Sequence, residues 1–442
     1  METIDSRFFH DPLFLMEESL RLQQDGLLLD SSAYSISAQC LEHNIKFHST
    51  LDIKPVLNVA IGYLMMGDLS QSEKWFDFVI YHEPNNAVAL MNLAAIFNQT
   101  NRKSQGSELL NAAYKIQRLY IEPIDEPCRK LLILTLGKEA ANIPLYPLLS
   151  LGRNFNIKYA FDYGSPEEDA RLPEFDLIFN AVGEADYLKP YVQRMKELPY
   201  LYQKPFLNDP LNVLKTQRNQ IQDVLRDVPG LVLPHYERFE LISEKADQLQ
   251  AVLRHSLHYP VIIRPEGTHG GDGLKIAHQS KELIEAVSSI QSSFYLANFI
   301  NYQSADLNYR KYRVIFVDRI PYFYHLAISS HWLVHYYSAD MLSHDWKIEE
   351  EKAFLQSPES VLGNARMTTL LEIGQRLNLE YVGVDFGLMP DGSMVIFEAN
   401  PTMLIHLESI SGPLAYKNEY VKNILQAFED TLERYSSTKP ID

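Results

Sequence analysis

A chain of 442 residues has room for roughly two to four domains, and 46% hydrophobic against 22% charged residues is the balance of a globular protein with a sizeable core. Its formal charge of −17 excludes the broad basic field that nucleic acid or an anionic membrane calls for, so a phosphate-bearing ligand needs positive charge gathered locally. The two cysteines, Cys40 and Cys128, stand far apart without metal-ligand spacing, which excludes a disulfide framework and fits a reducing compartment. The opening METIDSRFFHDP has no basic stretch followed by an apolar one, and no run approaches about 18 apolar residues; the reading is a soluble, cytoplasmic chain.

The first quarter repeats itself. VLNVAIGYLMMGDLSQSEKWFDFVIYHEP aligns with LMNLAAIFNQTNRKSQGSELLNAAYKIQR at an offset of 34, matching Ala60 with Ala94, Tyr63 with Phe97 and Val79 with Ala113. A helix-turn-helix period of this length, with small residues at these points and Pro84 near the end of a unit, resembles the tetratricopeptide repeat. A third, weaker unit is expected in residues 15–50, with Gly26 at the position of Ala60. A plain helical bundle is the alternative. By the resemblance, such an array would bind a peptide or protein partner, hold a homodimer together or pack against its neighbour.

From residue 124 the character changes. Lys130–Leu136 is a short apolar strand, IKYAFDY (157–163) and FDLIFNAV (175–182) follow with helical stretches between, and an α/β domain begins near residue 125. Asn208-Asp209-Pro210 should start a polar helix from Leu211 to about Asp227, ended by Pro229-Gly230.

The stretch YPVIIRPEGTHGGDGLKIA (259–277) reads as a strand carrying Arg264, a loop with Gly267, Gly270, Gly271 and Gly273, and another strand. Glycines let backbone N–H groups approach phosphate oxygens. The spacing fits neither G-x-x-x-x-G-K-[ST] nor G-x-G-x-x-G, and a strand follows instead of a helix, so a P-loop or dinucleotide fold is excluded and a glycine-rich hairpin turn stands as the plain alternative. Strands are expected around Ala297–Ile300 and Tyr312–Val317. Between residues 260 and 325 there are seven Lys/Arg against six Asp/Glu, a local balance of +1 in a chain of −17. A phosphate site calls for that shift, and a salt-bridged solvated face would also give it. In HLAISSHWLVHYYSADM, the residues around His325, His331 and His335 suggest strand, and the histidines read as structural ones; His325 lies next to the basic strand.

The last motif is YVGVDFGLMPDGSMVIFEANP (381–401). Two apolar runs flank Pro390-Asp391-Gly392, and a two-residue turn at Asp391-Gly392 would set Asp385 directly opposite Glu398. Like charges opposite each other destabilise a sheet, so the pair needs a reason. Asn400 shares the face of Glu398, and such oxygen ligands suit Mg2+. An exposed hairpin with its acids in water is the alternative. Asp385-Phe386-Gly387 also spells the protein-kinase triplet, but neither H-R-D-L-x-x-x-N nor A-P-E occurs.

The order of phosphate loop, apolar linker strand, basic strand and acid hairpin resembles the ATP-grasp superfamily over roughly residues 130–435, most nearly its glutathione-synthetase-like and ribosomal-protein-glutamate-ligase-like branches. The resemblance implies an α/β fold of mixed sheets with helices, after an N-terminal all-α repeat domain. Its domains would be 1–124 (helical repeats), 125–240 (α/β substrate domain) and 241–442 (ATP-grasp), the last with a nucleotide-binding lobe at about 241–300 and a metal-binding lobe at about 301–442. It further implies that Gly267, Thr268, His269, Gly270, Gly271 and Gly273 close over the ATP phosphates, with Arg264 in the place of the usual lysine and Lys311 beside it. Ala297, Asn298, Phe299 and Ile300 would be the hinge that reads adenine, and Met403–His406 the acceptor-binding loop. Arg313 would approach the transferred phosphate, with Arg264 a second catalytic cation, and Asp385, Glu398 and Asn400 would hold Mg2+. Two departures stand out. Arg264 is a planar fork where a lysine is a point charge, and Asn298 replaces a hinge acid often used for ribose. The expected activity is an ATP- and Mg2+-dependent carboxylate-amine ligase acting through an acyl phosphate on an amino acid or peptide. A nucleotide-binding interaction protein with a degenerate unit, or a small-molecule phosphotransferase, are the alternatives.

Overall fold

The computed structural model describes residues 5–47, 50–149, 153–240, 258–268 and 270–437; His269 lies outside them. The chain divides into two compact units, Met1–Leu119 and Tyr120–Asp442.

The first unit contains helices α1 (Pro12–Gln24), α2 (Leu28–Phe47), α3 (Lys54–Met65), α4 (Leu69–His82), α5 (Ala87–Gln99) and α6 (Lys103–Ile116). They pair as three hairpins around a core that includes Phe8, Val56, Trp75, Phe76 and Phe78. Each hairpin turns on a left-handed residue: Gly26 (φ +79°), Gly67 (φ +80°) and Asn101 (φ +60°). This corrects the alignment of the first copy. Gly26 is a turn residue, whereas Ala60 is buried in the middle of α3. Matching the turns puts the first hairpin 41 residues before the second, because α2 has 20 residues against 14 in α4. Buried Ser19 then stands where Ala60 and Ala94 do, and Ser31 where Ser72 and Gly106 do. These are close helix crossings. Ser19 Oγ donates to the Ser31 carbonyl at 2.8 Å and Ser72 Oγ to the Ala60 carbonyl at 2.9 Å. A Cβ on Gly106 would come within 2.5 Å of Asn98 Oδ1 and 3.0 Å of the Ala94 carbonyl. Only small residues fit there.

The second unit holds three sheets. Strands β1 (Leu119–Glu122), β2 (Arg129–Thr135), β3 (Asn154–Ala160), β4 (Leu177–Asn180) and β5 (Phe206–Leu207) run in the order β1-β3-β2-β4-β5, with β2 parallel to β3 and β4. β2 and β4 are apolar on both faces, as a covered parallel sheet requires. The polar helix expected from Leu211 to Asp227 is two short helices, Pro210–Leu214 and Ile221–Leu225, joined by turns that carry Arg218. β6 (Leu231–Val232) leads to the antiparallel hinge sheet of β7 (Tyr236–Phe239), β8 (Val261–Pro265), β9 (Lys275–Ala277) and β10 (Phe294–Asn298), in the order β7-β10-β8-β9. Its core includes Val261, Ile263, Leu283 and Leu296.

The third sheet is β12-β11-β13-β14-β6, with β11 (Tyr309–Val317), β12 (Ile320–Ser329), β13 (Tyr381–Leu388) and β14 (Met394–Asn400) antiparallel and β6 added parallel at the edge. Ile315, Val317 and Tyr381 share a core with Phe179, Val421 and Phe428, which joins this sheet to the parallel one. β12 ends at Ser329, so His331 and His335 lie beyond the strand in an irregular segment, contrary to the expectation of a continuous strand. No described helix is long and apolar enough to cross a membrane.

The hairpin of β13 and β14 reaches the expected pairing by an unexpected route. Asp391-Gly392 is not a two-residue turn: Met389 and Ser393 close a three-residue loop, with Gly392 at φ +88° donating to the Met389 carbonyl at 2.9 Å. That alone would slip the register by one residue. A bulge between Asp385 and Phe386 makes up the difference. Phe386 faces Ile396, Asp385 faces Glu398, and Phe397 is the extra residue.

Candidate active site

The site lies where the hinge sheet faces the β11-β13-β14 surface. A cleft of about 890 Å³ is lined there by Arg264, Lys311, Arg313, Asp385 and Glu398, by Gly270 and Gly271, and by Asn298, Phe299 and Ile300.

The antiparallel ladder sets the charges. Arg313 pairs with Asp385 across β11 and β13, and Lys311 lies two residues earlier on the same face. Asp385 is 1% exposed; Arg313 Nε and Nη2 donate to its two oxygens at 2.7 and 2.9 Å, and Lys311 Nζ lies 3.1 Å from Oδ2. Burial alone would raise its pKa, but the two cations hold the carboxyl well below the usual range. Glu398 meets Arg218 Nη2 at 2.5 Å. Each acid of the like-charged pair thus has its own cation, which answers why the sheet tolerates them face to face.

The two carboxylates fit a hard cation: both are oxygen donors, both line the cleft, and they are opposed across the ladder. Asn400 stands differently. It is buried, outside the cleft lining, and its Oδ1 accepts from the Thr402 backbone N–H and Oγ1, both at 2.8 Å. Thr402 thus holds the amide in a local turn.

The glycine loop joins β8 to β9, and Gly267, Gly270, Gly271 and Gly273 all have φ between +63° and +86°. At Gly273 a Cβ would stand 2.8 Å from Pro265 Cγ, so the loop needs glycine for space as well as for backbone. Gly270 and Gly271 reach the cleft; Gly267, Thr268 and Gly273 stand off its lining. Arg264 Nε and Nη2 donate to the Thr268 carbonyl at 3.3 and 3.0 Å, tying the start of the loop to the strand. Burial and the neighbouring Arg218 lower the pKa of Arg264.

At the hinge, Ala297 is laddered between Tyr236 and Ile262 and does not line the cleft. The Phe299 N–H donates to the Pro260 carbonyl at 3.0 Å. The Asn298 Oδ1 is buried with no hydrogen-bond partner among the described residues.

Several lining residues are absent from the sequence reading: Tyr236, Tyr302, Trp332, Leu333 and Phe397, while His335 was read as structural. His335 is half-buried, and burial together with Lys311 and Arg313 lowers its pKa. Arg218, behind Glu398, sat in a polar run without a motif. A second cavity of about 530 Å³ shares Lys311, Arg313 and His335 with the cleft and adds Leu404 and His406 of the expected acceptor loop.

Residues 226–302 match the family described as the carbamoyl-phosphate synthase L chain, ATP binding domain. The match covers the hinge sheet and stops before the acid hairpin. Among solved structures, the chain is similar to VanG D-Ala:D-Ser ligase from Enterococcus faecalis, at 12% identity over 67% of this chain and 99% of that one (TM-score 0.40). It is similar to a D-alanine–D-alanine ligase from Bacillus anthracis, at 15% identity over 70% and 98% (TM-score 0.38). A third is carboxyaminoimidazole ribonucleotide synthase from Aspergillus clavatus complexed with ATP, at 13% identity over 67% and 77% (TM-score 0.41). No curated protein matches the chain. The family match falls on the sheet that carries the glycine loop and hinge, so residues 226–302 carry the likeness to an ATP-binding domain of ATP-grasp type; the unit that holds them is built of mixed α/β sheets and follows, in sequence, an N-terminal unit in which six α-helices are described.

Proposed function

We propose that this protein is an ATP- and Mg2+-dependent carboxylate-amine ligase. The observation that carries the reading is the cleft in which Arg264, Lys311 and Arg313 meet Asp385 and Glu398 under the glycine loop, opening beside a second cavity through the same Lys311 and Arg313. Asp385 and Glu398 would hold Mg2+, which when bound supplies charge neutralisation at the ATP phosphates. Asn298 and Ile300 border the place for the base, and Gly270 and Gly271 present backbone N–H groups to the phosphates.

Phosphoryl transfer asks a protein chiefly for positioning and electrostatic stabilisation. A substrate carboxylate oxygen attacks the γ-phosphorus, the bond to the β,γ-bridging oxygen breaks, and ADP leaves. An amine nitrogen then attacks the acyl carbon, phosphate leaves and the nitrogen loses its proton. Arg313, on the wall shared by both cavities, is placed to steady the transferred group through both steps. No side-chain nucleophile is required. One of the two substrates is of amino-acid or peptide type, and the three helical hairpins, read as tetratricopeptide-like, recruit a peptide partner or hold a homodimer.

Calorimetric titration of ATP with and without Mg2+, on wild type and Glu398→Gln, tests the reading. The wild type should bind more tightly with Mg2+, and the variant should lose that gain together with turnover. A folded wild type that binds no ATP, or a variant with wild-type turnover, would sink it.

A further inference from the structure

Among the described residues, the second cavity is lined by three cations, Lys311, Arg313 and Lys417, and by no carboxylate. The rest of its wall is Leu404 and rings, Tyr324, His325, Tyr336 and His406 among them. The acids nearest to it are already engaged: Asp385 is held by Arg313 and Lys311 at 2.7 and 3.1 Å. Glu408 Oε1 lies 3.2 Å from both Lys417 Nζ and His406 Nε2, and Glu351 accepts from the Tyr336 hydroxyl at 2.8 Å and the Leu326 N–H at 3.1 Å. The ring faces that could attract a cation are also taken. Lys417 Nζ sits 3.9 Å from the centroid of Tyr336 and 5.2 Å from that of Tyr324. An ammonium entering this space would meet three cationic side chains and, among the described residues, no carboxylate on the wall.

His325 is the independent observation. It is 5% exposed, it lines the cavity, and its Nε2 is buried without a hydrogen-bond partner. Across β11 and β12 it pairs with Arg313, so it stands next to the cation that joins the two cavities. A buried ring nitrogen without a partner is costly unless a ligand satisfies it. Burial, with Arg313 and Lys417, lowers its pKa well below the usual histidine value, so the ring is neutral and can keep one N–H to donate. His406 is held between the Tyr324 hydroxyl at 3.0 Å and the Tyr337 hydroxyl at 3.1 Å, which fixes a rigid far wall.

We propose that this cavity is the acid-substrate chamber and that it takes carboxylates bearing no free α-ammonium group: simple organic acids, N-acylated amino acids or peptide C-termini, not free amino acids. The reacting carboxylate lies toward Lys311 and Arg313, the body of the acid packs against Tyr324 and His406, and His325 Nε2–H donates to the substrate. The proposal rests on the ligase reading for the word substrate; the charge selection stands on the cavity alone.

The test is NMR of protein carrying 15N,13C-labelled histidine, with the His325 ring assigned from the spectrum of His325→Gln. The probes are propionate, N-acetylalanine and alanine. Propionate and N-acetylalanine should shift the His325 resonances saturably, and alanine should fail to do so at ten times the concentration. His325→Phe should weaken propionate, followed through the His406 resonances, by about ten- to a hundredfold, the effect expected for a hydrogen bond to a charged group, and His325→Gln, which keeps an N–H donor, should recover most of it. Alanine binding within threefold of propionate overturns the selection, and no response of His325 to any probe overturns the chamber. ATP affinity is measured on the same samples. Protein that binds Mg2+ and ATP but ignores propionate overturns this proposal alone; protein that binds propionate but not ATP overturns the ligase reading and leaves the chamber standing.

Discussion

Replacing Asp385 by Asn removes one negative charge from between two buried cations and leaves the shape unchanged. Removing one partner of a buried ion pair costs roughly 3–5 kcal/mol. Here the stranded side chains, Lys311 at 14% and Arg313 at 18% exposure, border a cleft that water enters, so about 2 kcal/mol is the expected loss, a fall of about 3 °C in the Tm of a unit this long. The same change frees both cations for phosphate. ATP without Mg2+ should therefore bind Asp385→Asn about tenfold more tightly than it binds wild type, the worth of one charge-assisted contact, while added Mg2+ should contribute nothing. Turnover should vanish. The pH dependence has a definite sign: the folded carboxyl titrates below the unfolded one, so its contribution is complete above about pH 4 and is lost as pH falls through the folded value. The stability gap between wild type and variant should be flat from neutral pH to about 4 and close only in stronger acid. Paired titrations and melts at several pH values give all of these quantities. A variant that still gains affinity from Mg2+ would refute the assignment of Asp385 as a metal ligand, and a gap that closes between pH 6 and 5 would refute its clamping by Arg313 and Lys311.

Two further substitutions probe the supports of the site and of the helices. Gly273→Val places a β-branched residue at φ +66° with its Cβ 2.8 Å from Pro265; ATP affinity should fall at least about tenfold while circular dichroism stays unchanged, and unaltered affinity would show that the loop does not shape the nucleotide site. Gly106→Val drives a Cβ to within 2.5 Å of Asn98 and 3.0 Å of the Ala94 carbonyl; the loss should be about 2 kcal/mol, read as a lower denaturant midpoint for the isolated signal of Trp75, which sits in the same helical core. An unchanged midpoint would mean that α5 and α6 do not cross where Gly106 stands.

What the sequence discloses about this site follows the range of the forces involved. The alternation of β13 and β14 is local, and it carries the opposition of Asp385 and Glu398 even though the turn inferred from Asp391-Gly392 is one residue too short; the bulge at Phe397 restores the register because burial of the Val384 and Phe386 face fixes which side the acids take. Local signals also mislead. Gly26 matches Ala60 by spacing although its backbone is that of a turn. The remainder is invisible in one dimension because it is supplied by connections: Arg218 from the turns between two short helices, Tyr236 from the neighbouring sheet, and His335 from the segment after β12. These three have in common that each answers a charge or a cavity created by residues far away in sequence. Arg218 answers Glu398, 180 residues later, and adds a direct bond to the carboxylate, whose charge Arg264 and Arg313 also feel. The acid hairpin can therefore be written into a short motif, but its electrostatic neutrality is a property of the fold, and that is why the motif marks the site while the cations around it decide what the site will bind.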